Sequence, residues 1–199
     1  MNIRLFDYGA GNLHSLAKAL TRVGGDVRIE SDARRALDGH ALVLPGVGAF
    51  GAASERLEAG RDAMRAALER GLPALGVCLG MQLLFDGSDE GEGRGLGLIP
   101  GRVRLLRSER RPHMGWNDVA GEGAPGALAY FAHSYVCEPT DATCVRAWTT
   151  HESDRFPSMV RVARTLGVQF HPEKSGPAGL ELLARWLDDA RRAEAMPCS

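Results

Sequence analysis

Residues 73–82 read PALGVCLGMQ, and this stretch decides the fold. A short apolar run leads into Cys78, which has Gly76 two residues before it and Gly80 two residues after it. Small residues at these positions let a strand turn sharply into a helix without collision, and such a strained turn can present a nucleophile. The alternative is a structural cysteine, because free cysteine is among the most buried residue types.

The position of Cys78 also favours reactivity. A helix that starts just after it would place its dipole and its unpaired backbone N–H groups beside the sulfur, and both favour thiolate over thiol. The first of these N–H groups belongs to Leu79, and it could stabilise an oxyanion. The stretch therefore predicts a strand, an elbow with a candidate nucleophile, and a helix that runs on through residues 81–85.

The sequence before this stretch alternates short apolar runs with helical patterns. Apolar residues recur at helical spacing over residues 13–20, and a longer helical segment covers roughly residues 52–70. Ser31 or Asp32 could cap a short helix between them. The order βαβαβαβ predicts parallel strands covered by helices, with right-handed crossovers. The predicted strands are residues 2–6, 26–30, 41–45 and 73–78.

The second half of the chain has a different pattern. Residues 88–95 are polar and glycine-rich, and strand-like pieces rather than helices follow them. Several of these pieces alternate with period two, as half-exposed antiparallel strands do. The chain then ends in an amphipathic helix with Leu182, Leu183, Trp186 and Leu187 on one face. The candidate strands are residues 101–106, 130–137, 144–149, 159–165 and 167–171. The sequence thus predicts an α/β protein with a mostly parallel central sheet and a β-rich second half.

Length and composition limit the classes of function. The chain has 199 residues, 44% of them hydrophobic, which predicts a single domain over residues 1–199. Its net charge of -1 argues against nucleic acid or an anionic membrane as a partner. No signal peptide or membrane-spanning run is evident, so we expect a cytoplasmic protein with reduced cysteines. No CxxC pair indicates a zinc site.

Among the six histidines, His171 is the one with a carboxylate placed to act on it. It ends a strand-like run and is followed by Pro172 and Glu173. Proline restricts the preceding residue to extended backbone, and residues i and i+2 of an extended segment project to the same side. Glu173 could therefore orient the imidazole while the other ring nitrogen faces Cys78. Taken alone, the HPE sequence is also compatible with a histidine at an ordinary strand end.

A third motif, PGVGAFG at residues 45–51, has the spacing GxGxxG between a predicted strand and a predicted helix. This spacing is also typical of dinucleotide-binding loops. However, the acidic ribose ligand of such a site belongs at the end of the next strand, where Val77 and Cys78 stand. The other interpretation is that the glycines bring bare backbone N–H groups next to Cys78 as oxyanion donors.

Together, GVCLGMQ, PGVG and QFHPEKS resemble the class I, or triad, glutamine amidotransferases, in the same order along the chain. PGVGAF, the opening DYGAGNLHSL and PHMGWN at residues 112–117 are similar to the glutaminase subunits of imidazole glycerol phosphate synthase within that class. The resemblance runs from residue 3 to about residue 187. It implies a class I amidotransferase fold, with a flavodoxin-like sheet and an elbow like that of α/β-hydrolases.

The resemblance also implies roles for individual residues, with neither cofactor nor metal. Cys78 would be the nucleophile, His171 the base and acid, and Glu173 the carboxylate that orients the imidazole. Gln82, one helical turn past the nucleophile, would help to hold the amino acid part of glutamine. The oxyanion donors would be the backbone N–H groups of Leu79 and Val47, with Gly46 and Gly48 allowing the peptide at Val47 to turn.

A partner is implied as well, because free ammonia would be protonated in water. The family resemblance implies a heterodimer with a (β/α)8-barrel cyclase subunit that receives ammonia through a channel, in histidine biosynthesis. Lys174, Asn12, Trp116 and Tyr135 would be partner-facing or gating residues, although a solvated lysine and turn, core and strand positions explain them equally well. Three alternatives remain: a glutaminase of a different synthase, such as anthranilate or aminodeoxychorismate synthase, a catalytically idle regulatory subunit, and a cysteine peptidase with the same elbow.

Overall fold

The computed structural model describes residues 1–9, 13–124 and 128–195. Its first half has the predicted alternation of strands and helices, and its four strands pair in parallel in the order β2-β1-β3-β4. Asp32 accepts hydrogen bonds from the N–H groups of Arg34 and Arg35 at the start of a short 3-10 turn, as a cap does. The elements are β1 (Asn2–Phe6), α1 (Leu13–Arg22), β2 (Asp26–Glu30), β3 (Ala41–Leu44), α2 (Phe50–Leu57), α3 (Arg61–Glu69) and β4 (Ala74–Val77).

The long helix expected over residues 52–70 is wrong as a single element. A 3-10 turn, Glu58–Gly60, separates α2 from α3. Gly60 packs so closely on Ala33 that a Cβ atom there would lie 2.6 Å from the Cβ of Ala33. This contact requires glycine, a poor helix former, at position 60. A helical sequence pattern cannot show the contact, because Ala33 is distant in the sequence.

The second half begins with the short helix α4 and contributes nine more strands and a last helix. Strand β13 runs parallel to β4, and β12, β11 and β8 continue the sheet in antiparallel order, giving eight strands in the order β2-β1-β3-β4-β13-β12-β11-β8. Strands β10, β6 and β5 form a second sheet, and β7 and β9 form an antiparallel ribbon. The elements are α4 (Leu79–Gln82), β5 (Gly87–Ser88), β6 (Gly101–Leu105), β7 (His113–Asp118), β8 (Ala120–Gly121), β9 (Leu128–His133), β10 (Tyr135–Pro139), β11 (Val145–His151), β12 (Asp154–Val162), β13 (Thr165–Val168) and α5 (Gly176–Ala195).

Three expectations for this half need correction. The candidate strand over residues 130–137 is divided at Ser134 into β9 and β10, which belong to different sheets. The candidate over residues 159–165 crosses a turn at Ala163, which has a positive φ of 49°. The helix after Cys78 ends at Gln82, so its dipole is smaller than the sequence suggested.

Hydrophobic cores lie on both faces of the main sheet. In β3, Ala41 and Val43 face one core, whereas Leu42 and Leu44 face the other. Burial on both faces explains why this strand is a continuous apolar run. The apolar face predicted for α5 is buried against the first core, and Trp186 Nε1 donates a hydrogen bond to the carbonyl of Ala74 at 3.2 Å. Across the described ranges, no helix has the length and apolar character needed to cross a membrane.

Candidate active site

Cys78 occupies a strained turn at the carboxyl end of β4. Its φ of 48° and ψ of -105° lie outside the regions that residues with side chains ordinarily adopt. Its backbone N–H donates a 2.7 Å hydrogen bond to the carbonyl of Val168, which ties the turn to β13. The strained conformation is therefore held by the neighbouring parallel strand.

The two flanking glycines are required by contact distances. A Cβ atom on Gly76 would lie 2.6 Å from the carbonyl oxygen of Gly80. A Cβ atom on Gly80 would lie 2.6 Å from the carbonyl carbon of Leu44, on the next strand. Contacts this short do not occur in real side chains, so α4 can approach the sheet only through glycine at both positions.

His171 and Glu173 follow β13, beside the elbow. His171 has extended backbone, with φ -101° and ψ 96°, and Pro172–Lys174 then form a 3-10 turn. Nδ1 of His171 lies 2.9 Å from Oε1 of Glu173, and both side chains are buried. The backbone N–H of His171 donates to the carbonyl of Tyr130 at 2.8 Å, which fixes the histidine against β9.

The electrostatics of His171 favour an ionised cysteine. Burial lowers the pKa of His171, but its interactions with Cys78 and with Glu173 outweigh burial and raise the pKa to about 9. The raised pKa favours the imidazolium form of His171 beside an ionised Cys78. A positive charge beside the sulfur stabilises the thiolate, which is the nucleophilic form of cysteine.

The sulfur opens onto a pocket of about 330 Å³, a volume within the range of small-molecule sites. The glycine-rich loop after β3 forms one wall, because a Cβ atom on Gly46 would lie 3.1 Å from the Cβ of Cys78. In the described ranges, the backbone N–H groups of Val47 and Leu79 donate no hydrogen bond to the protein. The residues from the sequence analysis that line the pocket are Gly46, Val47, Gly48, Cys78, Leu79, Gln82 and Tyr135.

The family model described as "Glutamine amidotransferase class-I" matches residues 4–190. The chain belongs to the class I glutamine amidotransferase family.

Curated relatives of this amidotransferase include two imidazole glycerol phosphate synthase subunits HisH. The one from Synechocystis sp. is 42% identical over 200 residues, which cover 93% of this chain and 95% of the relative. The one from Halobacterium salinarum is 43% identical over 203 residues, which cover 94% of this chain and 93% of the relative. A crystal structure described as a glutamine amidotransferase superposes with a TM-score of 0.77 at 22% identity, covering 95% of this chain and 98% of that chain. This last likeness shows the fold alone.

Sequence reasoning missed two polar residues of the candidate site. Gln169 is fully buried, and its Nε2 lies 3.5 Å from the sulfur of Cys78. The rule that links residues i and i+2 could have found it, since it precedes His171 by two residues. Glu90 lines the pocket, and its Oε2 accepts the N–H of Phe50 at 2.9 Å. Nothing in the sequence distinguishes Glu90 from the other acids of its loop.

Two of the four candidate partner-facing residues, Lys174 and Trp116, lie beside Tyr130, and a third, Tyr135, lies at the pocket. Lys174 places its Nζ 5.6 Å from the ring centre of Tyr130, and the ring of Trp116 meets that of Tyr130 edge to face at 6.0 Å. Tyr135 is half-buried at the pocket, where its carbonyl accepts hydrogen bonds from Gln82 and His133. Asn12 lies outside the described residues.

A chain of neutral histidines extends from the pocket into the protein. His133 lines the pocket and donates from Nδ1 to the carbonyl of Tyr135 at 3.0 Å. Its Nε2 must then accept from Nδ1 of His113 at 3.0 Å, and Nε2 of His113 accepts from the amide of Asn117 at 3.1 Å. Burial, followed by the effect of His113, lowers the pKa of His133 to about 3, and burial followed by His151 lowers the pKa of His113 to about 4.

These lowered pKa values predict a loss of stability in acid. Above pH 6.5 both histidines are neutral in the folded and unfolded states, and their contribution to the free energy of unfolding is fully present. Below pH 6.5 these histidines bind protons in the unfolded chain but not in the folded protein, so the free energy of unfolding falls with the pH. The loss ends once the pH has fallen through the folded-state pKa values of about 4 for His113 and about 3 for His133. For His133 the loss of unfolding free energy between pH 7.5 and pH 5 is about 2 kcal/mol.

Urea unfolding at the two pH values measures this effect. The His133→Asn variant should lose about 2 kcal/mol less on acidification than the unmodified protein. The matched control is His14→Gln, at an exposed position of α1, and it should retain the original pH dependence. Equal pH dependence in the unmodified protein and in His133→Asn would contradict a neutral buried His133.

Proposed function

We propose that this chain is the glutaminase subunit of an imidazole glycerol phosphate synthase. The decisive observation is that Cys78, on its strained elbow, lies against the buried His171–Glu173 pair. The identity of about 42% to HisH subunits, over nearly their whole length, supports this synthase rather than another one. An intact nucleophile, base and carboxylate argue for an active enzyme rather than an idle subunit.

The proposed reaction uses the triad twice. The Cys78 thiolate attacks the side-chain amide carbon of glutamine, and the oxyanion accepts hydrogen bonds from the N–H groups of Leu79 and Val47. The His171 imidazolium, oriented by Glu173, donates a proton to the leaving nitrogen, and ammonia departs. Neutral His171 then takes a proton from water, which attacks the thioester and releases glutamate and the thiolate. Glutamine and water are thereby converted to glutamate and ammonia.

The pocket offers groups for the amino acid end of glutamine. Glu90 is the acidic side chain in its lining, and one of its oxygens remains after the hydrogen bond to Phe50. Gln82 uses its Nε2 within the protein, which leaves its Oε1 for a ligand. Both groups are acceptors and suit the α-ammonium group of the substrate.

The proposed partner is a (β/α)8-barrel cyclase subunit, which would receive ammonia through its internal channel. An apolar surface suited to docking adjoins the pocket, because Met114 both lines the pocket and is 64% exposed. Trp116, 55% exposed, and the exposed Leu128 continue this surface along β7 and β9, and Lys174 lies over Tyr130 at its side. Exposed apolar groups that lie together mark interaction sites.

A cytoplasmic location belongs to the same proposal. Cys78, Cys137 and Cys144 are free thiols, and reduced cysteines are typical of the cytosol. Between residues 1 and 195, apart from the undescribed 10–12 and 125–127, no cluster of three or more histidine, cysteine or acidic side chains is arranged to hold a metal ion.

Glutamate release from glutamine tests the proposed function. The purified chain should hydrolyse glutamine slowly, and addition of the cyclase subunit with its ribonucleotide ligand should raise the rate at least about tenfold, since coupling between sites is commonly of this size. Hydrolysis that is absent in the mixture, or unchanged by this partner, would contradict the assignment. Cleavage of peptides but not of free glutamine would indicate a peptidase.

The docking surface supplies a matched pair of variants for the same assay. The Trp116→Ala variant should raise the dissociation constant for the cyclase about 30-fold, as loss of a central aromatic contact does. The control is Ile29→Ala, because Ile29 is 45% exposed on β2, an edge strand of the main sheet, whereas Trp116 lies on the separate β7–β9 ribbon. If both variants bind the cyclase like the unmodified chain, the partner docks elsewhere.

A further inference from the structure

The sulfur of Cys78 has a neighbour outside the triad. The side chain of Gln169 is fully buried between β13 and His171, and its Nε2 lies 3.5 Å from the sulfur. Its backbone N–H donates to the carbonyl of Ser158 at 2.9 Å, so the main chain holds the residue in place. A buried amide would ordinarily bond to oxygen, which makes this contact with sulfur notable.

The orientation of the Gln169 amide follows from a backbone carbonyl. Nε2 of Gln82 donates to the carbonyl of Tyr135 at 3.0 Å and to Oε1 of Gln169 at 3.3 Å. A carbonyl oxygen can only accept, so Gln82 must direct its NH₂ group toward both oxygens. If the Gln169 amide were reversed, its NH₂ group would face the NH₂ group of Gln82. Gln169 therefore presents N–H, and not oxygen, to the sulfur.

The contacts of the sulfur differ between its two protonation states. A thiol can donate a hydrogen, and the carbonyl of Ala132 lies 3.9 Å from the sulfur to receive it. A thiolate can only accept, and among its neighbours Gln169 supplies a neutral N–H donor in addition to the imidazolium of His171. Hydrogen bonds to an ionised acceptor are about twice as strong as neutral ones. The Gln169 contact thus favours the thiolate.

We propose that Gln169 is a catalytic residue that donates a hydrogen bond to the Cys78 thiolate, and that Gln82 positions its amide. The donor stabilises the attacking thiolate in the first half of the reaction and the departing thiolate in the second. No proton is transferred through it, since the amide keeps both hydrogens. Its importance for turnover rests on the proposed glutaminase function, but its effect on the sulfur does not.

Other titratable groups near the sulfur do not replace this donor. His171, with Glu173 behind it, supplies positive charge through its interactions with Cys78 and Glu173. Burial, and then the nearby Cys78, raise the pKa values of Tyr8 and Cys137 well above their usual range. Both groups are therefore neutral at physiological pH, and a substitution at Gln169 leaves their charge unchanged.

The pH dependence of Cys78 alkylation by iodoacetamide tests the proposal without glutamine or a partner. Cys144→Ser and Cys198→Ser remove other thiols, and intact-mass measurement gives the rate. In this background, Gln169→Met should move the midpoint of the pH profile up by about one unit, which slows alkylation about tenfold at pH values below the midpoint of the background protein. Gln169→Glu should shift the midpoint further, because it places a carboxylate beside the sulfur.

The result at high pH separates this role from a structural one. If Gln169 acts on the ionisation of Cys78, the alkylation rate of Gln169→Met at high pH should approach that of the background protein. A profile with an unchanged midpoint and only a lower plateau would overturn the proposal. This outcome would leave the glutaminase assignment standing, since glutamate release with the cyclase is measured separately.

Two further variants keep the proposal testable if the Gln169→Met protein does not fold. Gln82→Met keeps Gln169 but frees its amide to rotate, so it should shift the midpoint in the same direction by a smaller amount. The control Ser158→Ala removes a fully buried hydroxyl on the strand that contacts Gln169, and it should leave the midpoint unchanged. If Gln169→Met does not fold, an unchanged midpoint in Gln82→Met overturns the proposal.

Discussion

A Cys78→Ala variant, mixed with the cyclase, is expected to lose at least about 10⁴-fold of its glutamate release, as removal of a catalytic nucleophile does in other hydrolases. Synthesis from added ammonia should continue at the rate of the unmodified complex, because the partner carries out that step. Cys78 is 5% exposed, and alanine keeps its Cβ atom and removes only the sulfur, so the alanine variant should fold. Glutamate release and cyclase product formation, measured in parallel with each nitrogen source, give the result.

The matched control is Cys144→Ser, at a partly exposed cysteine with no place in the site. It should retain both activities. Residual glutamate release by Cys78→Ala would show that another group attacks glutamine. Loss of ammonia-dependent synthesis as well would show that the substitution disturbs the complex, and Cys78 would then have a structural role.

A Gly80→Ala variant is expected to lose about 3 kcal/mol of unfolding free energy, at the upper end of the cost of overpacking. The added methyl would lie 2.6 Å from the carbonyl carbon of Leu44 and 2.9 Å from its Cβ, so α4 or β3 must move. Either shift displaces Cys78 from His171, and misplacement by about 1 Å can cost about 10²-fold in rate. Urea unfolding and glutamate release with the cyclase measure the two effects.

Gly91→Ala is the control for this substitution. A Cβ atom on Gly91 would meet its nearest neighbour at 4.0 Å, and its backbone conformation suits any residue. The variant should keep the stability of the unmodified protein. If Gly80→Ala is equally stable and active, the close approach of α4 to the sheet is not needed for the elbow.

The sequence allowed the main sheet to be anticipated wherever burial imposes a local pattern. Strand β3 is buried on both faces and is a continuous apolar run, and α5 buries one face and shows helical periodicity. The break between α2 and α3 could not be anticipated, because it depends on the contact of Gly60 with Ala33. The division of β9 from β10 was missed for a similar reason, since neighbouring residues there join different sheets.

In the candidate site too, local patterns predicted some of the residue pairs, whereas others depend on contacts between distant parts of the chain. His171 and Glu173 are close in sequence, and the rule for extended backbone was enough to pair them. The approach of Cys78 to His171 depends on β4 and β13 lying side by side, a pairing that no local pattern shows. The approach was expected because a cysteine nucleophile needs a base, and the family resemblance implied the same pair. Glu90 reaches the pocket from a loop whose path the sequence does not specify.

The adjacency of β4 and β13 also has a consequence for synthesis on the ribosome. The proposed nucleophile, Cys78, emerges with the first half of the chain, whereas the proposed base, His171, emerges only after the nine strands β5 to β13 have been made. A nascent chain that ends before residue 171 carries the sulfur without a partner. With this proposed pair, the enzyme cannot release ammonia before most of its sheet is complete, and activity reports on the folding of nearly the entire polypeptide.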